Sequence, residues 1–199
     1  MLPKNIQKFI ETFSKLPLIG PRMAHRLSFN LLKLNKQDFQ NIESALYGLK
    51  NIDRCPRCFF IKNTEDKLCK ICSDSKRDKS QIAVVEKEID LISIEKSRAF
   101  KGVYLVIGES DNRNKLSAGQ KLRLEHLKKL ARKNPEKKFN EVIIAINLTT
   151  EGDYLTQKIS QEIKDSTKKI SRLGRGIPTG GEIEFADEET LLNSLKGRY

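Results

Sequence analysis

Apolar residues in the first fifty positions recur at helical spacing. Between residues 6 and 13, isoleucine and phenylalanine fall at i, i+3, i+4 and i+7, which predicts one amphipathic helix. The stretch LPLIGP, residues 16–21, interrupts this period with two prolines and a glycine, and Pro21 suits the first position of a new helix. The apolar residues that mark the second and third helices are Ala24, Leu27 and Leu31, then Phe39, Ile42, Leu46 and Leu49.

The pattern changes after residue 80, where continuous β-branched runs alternate with helical stretches. Such runs are typical of buried parallel strands. One helix is predicted over 88–98, a second from Ser117, whose Gln120 three residues on completes a capping box, and a third from near Thr150. The order βαβαβα predicts a parallel sheet with helical crossovers. The predicted strands are 82–85 (IAVV), 103–107 (VYLVI) and 142–146 (VIIAI).

The C-terminal segment combines a glycine-rich loop with two short elements. EIEF, residues 182–185, alternates and predicts a half-buried strand, and a short helix is expected over 188–195. The loop at 176–181 does not match a P-loop, because no Gly-Lys-Ser/Thr follows it. A plain turn is therefore favoured there over nucleotide binding, which the sequence leaves undecided.

The charge of the chain indicates a class of binding partner. The 199-residue chain carries a formal net charge of +12. Residues 1–80 hold 16 Lys and Arg against 8 Asp and Glu, whereas residues 81–199 hold 22 against 18. Concentrated positive charge favours a polyanion, nucleic acid first and an acidic membrane surface second, although a lysine-rich surface that only aids solubility is the plainer reading. No apolar run approaches a membrane span and the first residues do not resemble a signal peptide, so we expect a cytoplasmic protein.

The turn before Pro21 is the candidate contact for that polyanion. A helix, a short turn containing Gly20 and a second helix form a helix–hairpin–helix layout, whose backbone N–H groups and helix N-terminus can hold a phosphate. Arg22 and Arg26 lie four apart, on one face, and could contact neighbouring phosphates without reading sequence. A purely structural turn between two core helices is the alternative reading.

All four cysteines lie in one short segment, CPRCFFIKNTEDKLCKIC. Two C-x-x-C pairs can place four thiolates around one ion and close a tetrahedral site that suits zinc. No position is left for water or substrate, so such a site is structural, and its binding free energy is folding free energy. A redox pair or four unrelated thiols are the alternatives. The predicted ligands of a single Zn²⁺ ion are Cys55, Cys58, Cys69 and Cys72.

Carboxylates follow two of the predicted strands. In parallel sheets the working residues gather at the carboxyl ends of the strands, where Glu86, Glu151 and Asp153 occur here. Magnesium chemistry needs several hard oxygen ligands close together. Three carboxylates are few ligands for a magnesium site. Glu151 is also well placed to interact with a helix N-terminus instead.

The order of these parts resembles the RecR family of bacterial recombination proteins. The resemblance covers nearly the whole chain, and its most specific parts are the four-cysteine finger and the tail GIPTGGEIEFADE with the later TL and GR. It implies an α+β, multi-part fold: a helix–hairpin–helix region (1–53), a four-cysteine zinc finger (54–78), an α/β Toprim domain with a parallel sheet (79–175) and a C-terminal loop, strand and helix (176–199).

The resemblance also implies that the Toprim domain is not catalytic. Toprim enzymes carry a Glu after the first strand, then D-x-D and E-G after a later one. Glu86 and Glu151 match, but Asn147 and Thr149 occupy the two aspartate positions. An amide and a hydroxyl are poor substitutes for carboxylates, so bound Mg²⁺ is not expected. Glu86, Asn147 and Glu151 are kept as a candidate weak Mg²⁺ or partner site.

By the same resemblance, the protein would be a ring-shaped homo-oligomer, with a tetramer expected, that encircles nucleoid DNA. It would act with RecO, and with RecF where present, to load RecA onto single-stranded DNA, with Gly20, Arg22 and Arg26 on the DNA path. The alternatives are a Mg²⁺-dependent Toprim nuclease or primase, or a general zinc-ribbon nucleic-acid-binding module. Three departures from the family pattern are the polar segment at 108–120, Leu148 in place of a usual proline, and the final Tyr199.

Overall fold

The computed structural model describes residues 2–109, 115–134 and 136–198. The chain divides into two compact units, Met1–Ile52 and Asp53–Tyr199. Most of the polar 108–120 segment is described, but its residues 110–114 and the terminal Tyr199 lie outside the described part. No helix among the described residues is long and apolar enough to cross a bilayer.

The first unit contains the three predicted helices. Pro21 opens the second helix at its first position, as its fixed φ favours, with Gly20 as the N-cap. Asn35 caps the third helix by accepting the Asp38 backbone N–H at 2.8 Å. A 3₁₀ turn, Leu49–Asn51, ends the unit. The helices are α1 (Lys4–Phe13), α2 (Pro21–Leu31) and α3 (Lys36–Gly48).

The core of this unit is small. Ile10 of α1 and Ala24 of α2 are buried, and the rings of Phe9 and Phe13 stack with centroids 4.0 Å apart. α3 buries no residue. The described residues of this unit therefore leave its predicted apolar face uncovered, with Phe39 48%, Ile42 38% and Leu46 51% exposed.

The cysteine segment opens the second unit. Two short strands, β1 (Ile52–Arg54) and β2 (Ile61–Asn63), pair on either side of the first C-x-x-C knuckle. The second knuckle ends in a single helical turn, α4 (Lys70–Ser73). The segment thus forms a finger whose knuckles face each other.

A four-stranded parallel sheet forms the centre of this unit. The strands are β3 (Asp78–Val85), β4 (Gly102–Val106), β5 (Phe139–Ala145) and β6 (Thr167–Arg172), in the spatial order β4-β3-β5-β6. The crossover helices are α5 (Glu88–Ser97), α6 (Ala118–Ala131) and α7 (Thr150–Ile163). The α6 capping box is present, with Ser117 and Gln120 bonding each other's backbone N–H groups.

Apolar side chains cover both faces of the sheet. One face packs against α6 and α7 through residues such as Leu105, Leu127 and Ile159. The other packs against α5, through Leu91, and against Phe60 of the finger. Burial on both faces explains why the inner strands read as continuous apolar runs.

One strand of the structure was not predicted, and one predicted strand is absent from the described residues. β6 was not predicted, because its sequence TKKISR is polar, as an edge strand with few buried positions allows. The strand predicted over 182–185 is wrong: Ile183–Phe185 is a 3₁₀ turn, and Phe185 is 79% exposed. The following helix, α8 (Glu188–Lys196), is present and is capped by Asp187.

Candidate metal centre and nucleic-acid interface

The four cysteines converge on one point in the finger. Their Sγ atoms all lie within 4.8 Å of one another, and all four side chains are buried. The Sγ atoms of Cys58 and Cys69 are 3.5 Å apart. A tetrahedron with Zn–S bonds of about 2.3 Å has edges of about 3.8 Å, so the cluster has the size of a four-thiolate site. It can hold a metal ion.

Hydrogen bonding within the cluster also fits a cation. Hydrogen bonds from Cys58, Cys69 and Cys72 lower the pKa of Cys55, and hydrogen bonding to the other three thiols, with burial added, raises the pKa of Cys72. Several thiolates in one buried space repel each other, and a divalent cation removes that repulsion. The Cys69 backbone N–H points at the Cys55 Sγ from 3.5 Å, as a donor to a thiolate ligand would.

The finger is fastened to the edge of the parallel sheet. The Val106 backbone N–H at the end of β4 donates to the Cys58 carbonyl at 2.8 Å. Arg54 donates to the Phe59 carbonyl at 2.9 Å and to Glu88 Oε1 at 2.6 Å, which ties the finger to α5. Because β4 is an outer strand of the sheet, the finger covers backbone groups that would otherwise be open for pairing. The finger therefore protects this edge of the sheet.

In the first unit, the helix–hairpin–helix turn presents an uncapped helix N-terminus. Gly20 provides no side chain to cap α2, the first turn of α2 has no acidic residue, and Pro21 has no N–H. The backbone N–H groups of Arg22 and Met23 make no hydrogen bond within the described residues. Apart from the residues adjoining Gly20, no described atom lies within 4 Å of a Cβ built on it, so there is open space beside the turn. Unpaired N–H groups at a positive dipole end favour an anion.

Arg22 and Arg26 flank this turn on the exposed side of α2. Both side chains are exposed, and no carboxylate of the described residues lies within 4.0 Å of either. His25, between them, hydrogen-bonds to the Pro21 carbonyl through Nδ1 at 2.9 Å. The structure thus places the predicted arginines and the two free N–H groups within the first six residues of α2.

The carboxyl ends of the strands in the second unit surround a cavity of about 420 Å³. Glu86, Asn147 and Glu151, the three residues named from the sequence, all line it. Burial raises the pKa of Glu86; the neighbouring Lys87 opposes this rise, and Glu109 adds to it. Glu86 and Glu151 thus meet at one sheet edge, as expected, whereas Asp153 is not among the described lining residues and pairs instead with Arg172 and Arg175.

The same cavity holds lysines that sequence reasoning missed. Lys87, Lys115 and Lys158 line it together with three glutamates, and Lys87 Nζ lies 2.6 Å from Glu109 Oε1. Lys87 directly follows Glu86, so its place at the strand end could have been read from the sequence. Lys115 and Lys158 come from a loop and from a helix face, whose positions depend on the fold.

The segment after β5 forms the N-terminus of α7. Thr149 Oγ1 caps the helix by accepting the Gly152 backbone N–H at 3.1 Å. A Cβ on Gly152 would lie 1.9 Å from the Asn147 carbonyl oxygen, so glycine is needed for the close approach of these two backbones. Glu151 occupies the first turn of α7, where a carboxylate interacts favourably with the helix dipole. Thr149 acts as a cap, and its position does not supply a carboxylate ligand.

Family models match three stretches of the chain. A model described as RecR, helix-hairpin-helix matches residues 6–48, a Toprim domain model matches residues 80–174, and a model described as RecR, C-terminal matches residues 176–199. The chain is 37% identical to the recombination protein RecR of Chloroflexus aggregans, over 97% of this chain and 92% of that protein. The chain belongs to the RecR family of recombination proteins.

Other RecR proteins match at similar levels. A recombination protein RecR of Thermus thermophilus is 35% identical over 98% of this chain and 97% of its own length. That of Frankia casuarinae is 35% identical over 97% of this chain and 95% of its own length. Near-complete coverage of both chains means that the match includes the turn of the first unit, the finger and the Toprim sheet alike. The sequence resemblance to RecR is confirmed.

Proposed function

We propose that this RecR-family protein is a non-catalytic DNA-binding clamp and recombination mediator. The observation that carries the proposal is the end of α2, where two unpaired arginines stand beside backbone N–H groups that make no hydrogen bond within the described residues. Each of these groups is complementary to a phosphate oxygen. Because contacts to phosphates carry no sequence information, binding through them would be independent of sequence. Gly20, Arg22 and Arg26 are the proposed DNA-binding residues.

The Toprim cavity supports a role other than catalysis. Mg²⁺ sites concentrate uncompensated oxygen ligands, whereas this cavity contains as many lysines as glutamates among its described lining residues. The two positions that would complete a D-x-D pair are Asn147 and Thr149, and the Thr149 hydroxyl caps α7. We propose that Glu86, Asn147 and Glu151 serve a partner contact or a weak Mg²⁺ site rather than phosphoryl transfer.

We propose Zn²⁺ as the ion of the finger, with Cys55, Cys58, Cys69 and Cys72 as its ligands. Four buried sulfur donors at tetrahedral spacing suit zinc, and none of the four positions is left for a water molecule. The ion would hold the two knuckles together and thereby keep the Cys58 carbonyl in place for Val106. The role would be structural. We also propose the division of the chain into four parts, at 1–53, 54–78, 79–175 and 176–199.

We further propose a homo-oligomeric ring, a tetramer, that acts with RecO and RecF to load RecA on single-stranded DNA at the nucleoid. The uncovered apolar face of α3 supports self-association, since exposed Phe39, Ile42 and Leu46 on one helix gain from burial against another copy. The named partners come from the resemblance to RecR proteins.

The DNA-binding proposal predicts a change in salt dependence. The double variant Arg22→Gln with Arg26→Gln should reduce the steepness of the slope of log affinity for duplex DNA against log salt concentration by about 1.8. Each lost phosphate contact removes about 0.9 from that slope. The loss should be the same for unrelated DNA sequences. Fluorescence anisotropy at several salt concentrations gives the slope directly.

Analytical ultracentrifugation of the wild-type protein tests the proposed ring. A monomer at all protein concentrations would contradict it.

A matched control separates local contacts from net charge. Lys4→Gln with Lys8→Gln removes the same two charges from exposed positions on α1 in the same unit, and its slope should stay near that of the wild type. Equal slopes for the wild type and the arginine variant would remove Arg22 and Arg26 from the DNA path. Carrying both variants into a RecA-loading assay with RecO tests the mediator role, which predicts a defect in the arginine variant alone.

A further inference from the structure

A second cavity lies in the larger unit, between the finger and the sheet. Its volume is about 410 Å³, within the range of roughly 300–1,000 Å³ typical of small-ligand pockets. The first knuckle, the starts of the strands and the end of α6 form its walls. Ile82, Val103 and Phe139 contribute apolar surface from three adjacent strands. None of these residues lies at the carboxyl end of its strand, which is where the Toprim cavity lies. The two cavities are therefore separate.

The charged groups among the described lining residues of this cavity are all cationic. Arg57 enters from the first knuckle, Lys79 from the start of β3 and Lys133 from the turn after α6, and no carboxylate is among those residues. The Toprim cavity, in contrast, balances three lysines with three glutamates. Three cations from three different elements around one space favour an anionic occupant.

These three cations also lack the partners that their neighbours have. Within residues 2–109, 115–134 and 136–198, no carboxylate oxygen lies within 4.0 Å of their charged nitrogens. On the same three elements or just beside them, Arg54 pairs with Glu88, Arg77 with Glu95, and Lys128 with Glu125 and Glu162. Among the described residues, the fold therefore pairs several cations near the cavity and leaves the three that line it without a carboxylate.

The surplus charge is not accounted for by the end of α6. A lysine after a helix C-terminus offsets the negative end of the helix dipole, and Lys133 can do so. Arg57 and Lys79 belong to other elements and have no such role. His126, which also lines the cavity, is affected by the resulting field: burial lowers its pKa, and the charges of Lys133, Lys129 and Arg57 lower it further, against a hydrogen bond with the Arg57 backbone.

We propose that Arg57, Lys79 and Lys133 form a second phosphate-binding site, which takes a backbone phosphate of nucleic acid. The inference rests on the proposed function, because a DNA-binding protein supplies the polyanion. An arginine fork and two ammonium groups bind phosphate oxygens directly. The site adds contacts that no residue of the α2 turn provides.

The test compares two double variants of the metal-loaded full chain. Lys79→Gln with Lys133→Gln should reduce the salt slope on single-stranded DNA by about 1.4, since each contact contributes about 0.7 there. Lys96→Gln with Lys121→Gln removes two exposed charges elsewhere in the same unit and should leave the slope unchanged. Arg57 is left intact, because it precedes a cysteine of the finger.

The imidazole signals of His126 provide a local reading. The chain contains two histidines, so a His25→Gln variant assigns the remaining signal. At about pH 8, where the imidazole is neutral, an oligonucleotide and inorganic phosphate should both shift it, and the Lys79/Lys133 variant should lose both shifts. A shift with poly-glutamate alone would identify an acidic protein as the ligand and overturn the proposal. A shift with phosphate or ATP but an unchanged DNA slope would replace the nucleic-acid backbone by a free phosphate compound.

The outcomes also separate this site from the proposed function. If the Arg22/Arg26 variant loses slope and the Lys79/Lys133 variant does not, the second site is wrong and the clamp stands. If the wild type binds no DNA while phosphate still shifts His126, the clamp is wrong and a phosphate site remains. No shift with any of the anions rejects the second site outright.

Discussion

Replacing Cys69 by serine is expected to abolish metal binding and to unfold the finger. A hydroxyl is a poor ligand beside three thiolates, and binding of structural zinc is worth about 10–16 kcal/mol in small zinc domains. That is as large as the whole stability of many domains, about 5–15 kcal/mol. The damage should extend to the sheet edge, because Val106 donates its N–H to the Cys58 carbonyl.

Metal analysis and hydrogen exchange measure both effects. The wild type should contain one metal ion per chain, and the Cys69→Ser variant none. Amide protection should fall across residues 55–72 and at Val106, while the centre of β5 keeps more of its protection. Ser73→Ala, next to the second knuckle but without a ligand atom, should behave as the wild type does. A Cys69→Ser protein that retained one ion and a protected finger would refute the four-thiolate centre.

Gly152→Ala is expected to destabilise the protein by about 3 kcal/mol or more, as overpacking against rigid backbone does. The added Cβ would sit 1.9 Å from the Asn147 carbonyl oxygen and 3.1 Å from its carbon. Neither atom belongs to a flexible side chain, so the segment between β5 and α7 must shift. That movement would displace Asn147 and the Thr149 cap from the Toprim cavity.

Gly119→Ala is the matched control for this change. Gly119 also lies in the first turn of a helix, α6, but the atom nearest to a Cβ placed on it, Ser117 Oγ, is 3.9 Å away. Alanine there should be neutral or stabilising by about 0.5–1 kcal/mol, since it lowers the conformational entropy of the unfolded chain. Urea unfolding of both variants gives the comparison. Equal midpoints would show that the Asn147–Gly152 contact imposes no constraint.

The sequence predicts most of the elements because their signals are local. Pro21, the Ser117–Gln120 capping box and the apolar runs of β3, β4 and β5 each determine structure within a few residues. β6 gave no such signal: an outer strand that buries little can be polar, and its pairing with β5 depends on distant residues. EIEF has the alternation of a strand, but it pairs with no strand of the described residues and forms a 3₁₀ turn.

The candidate sites divide in the same way. The cysteine cluster and the α2 turn were predictable, since close spacing in sequence places their residues together. Glu86 and Glu151 were predictable from the rule that strand ends share one edge, whereas Asp153 pairs with two arginines instead. Lys158 in that cavity, and the grouping of Arg57, Lys79 and Lys133, were not, because each residue is placed by a different element and they meet only after folding.

The most direct test of the central claim, DNA binding without DNA chemistry, is one gel. Metal-loaded protein is incubated with a gapped circular plasmid and Mg²⁺, and half of each sample is deproteinised before loading. Asn147→Asp with Thr149→Asp, which restores the two carboxylates, and Glu86→Gln are run alongside. We expect retarded DNA that returns unchanged after deproteinisation. If the wild type produced nicked, relaxed or extended DNA and the Glu86→Gln variant did not, the claim of binding without chemistry would be wrong. The protein would then be a Toprim enzyme.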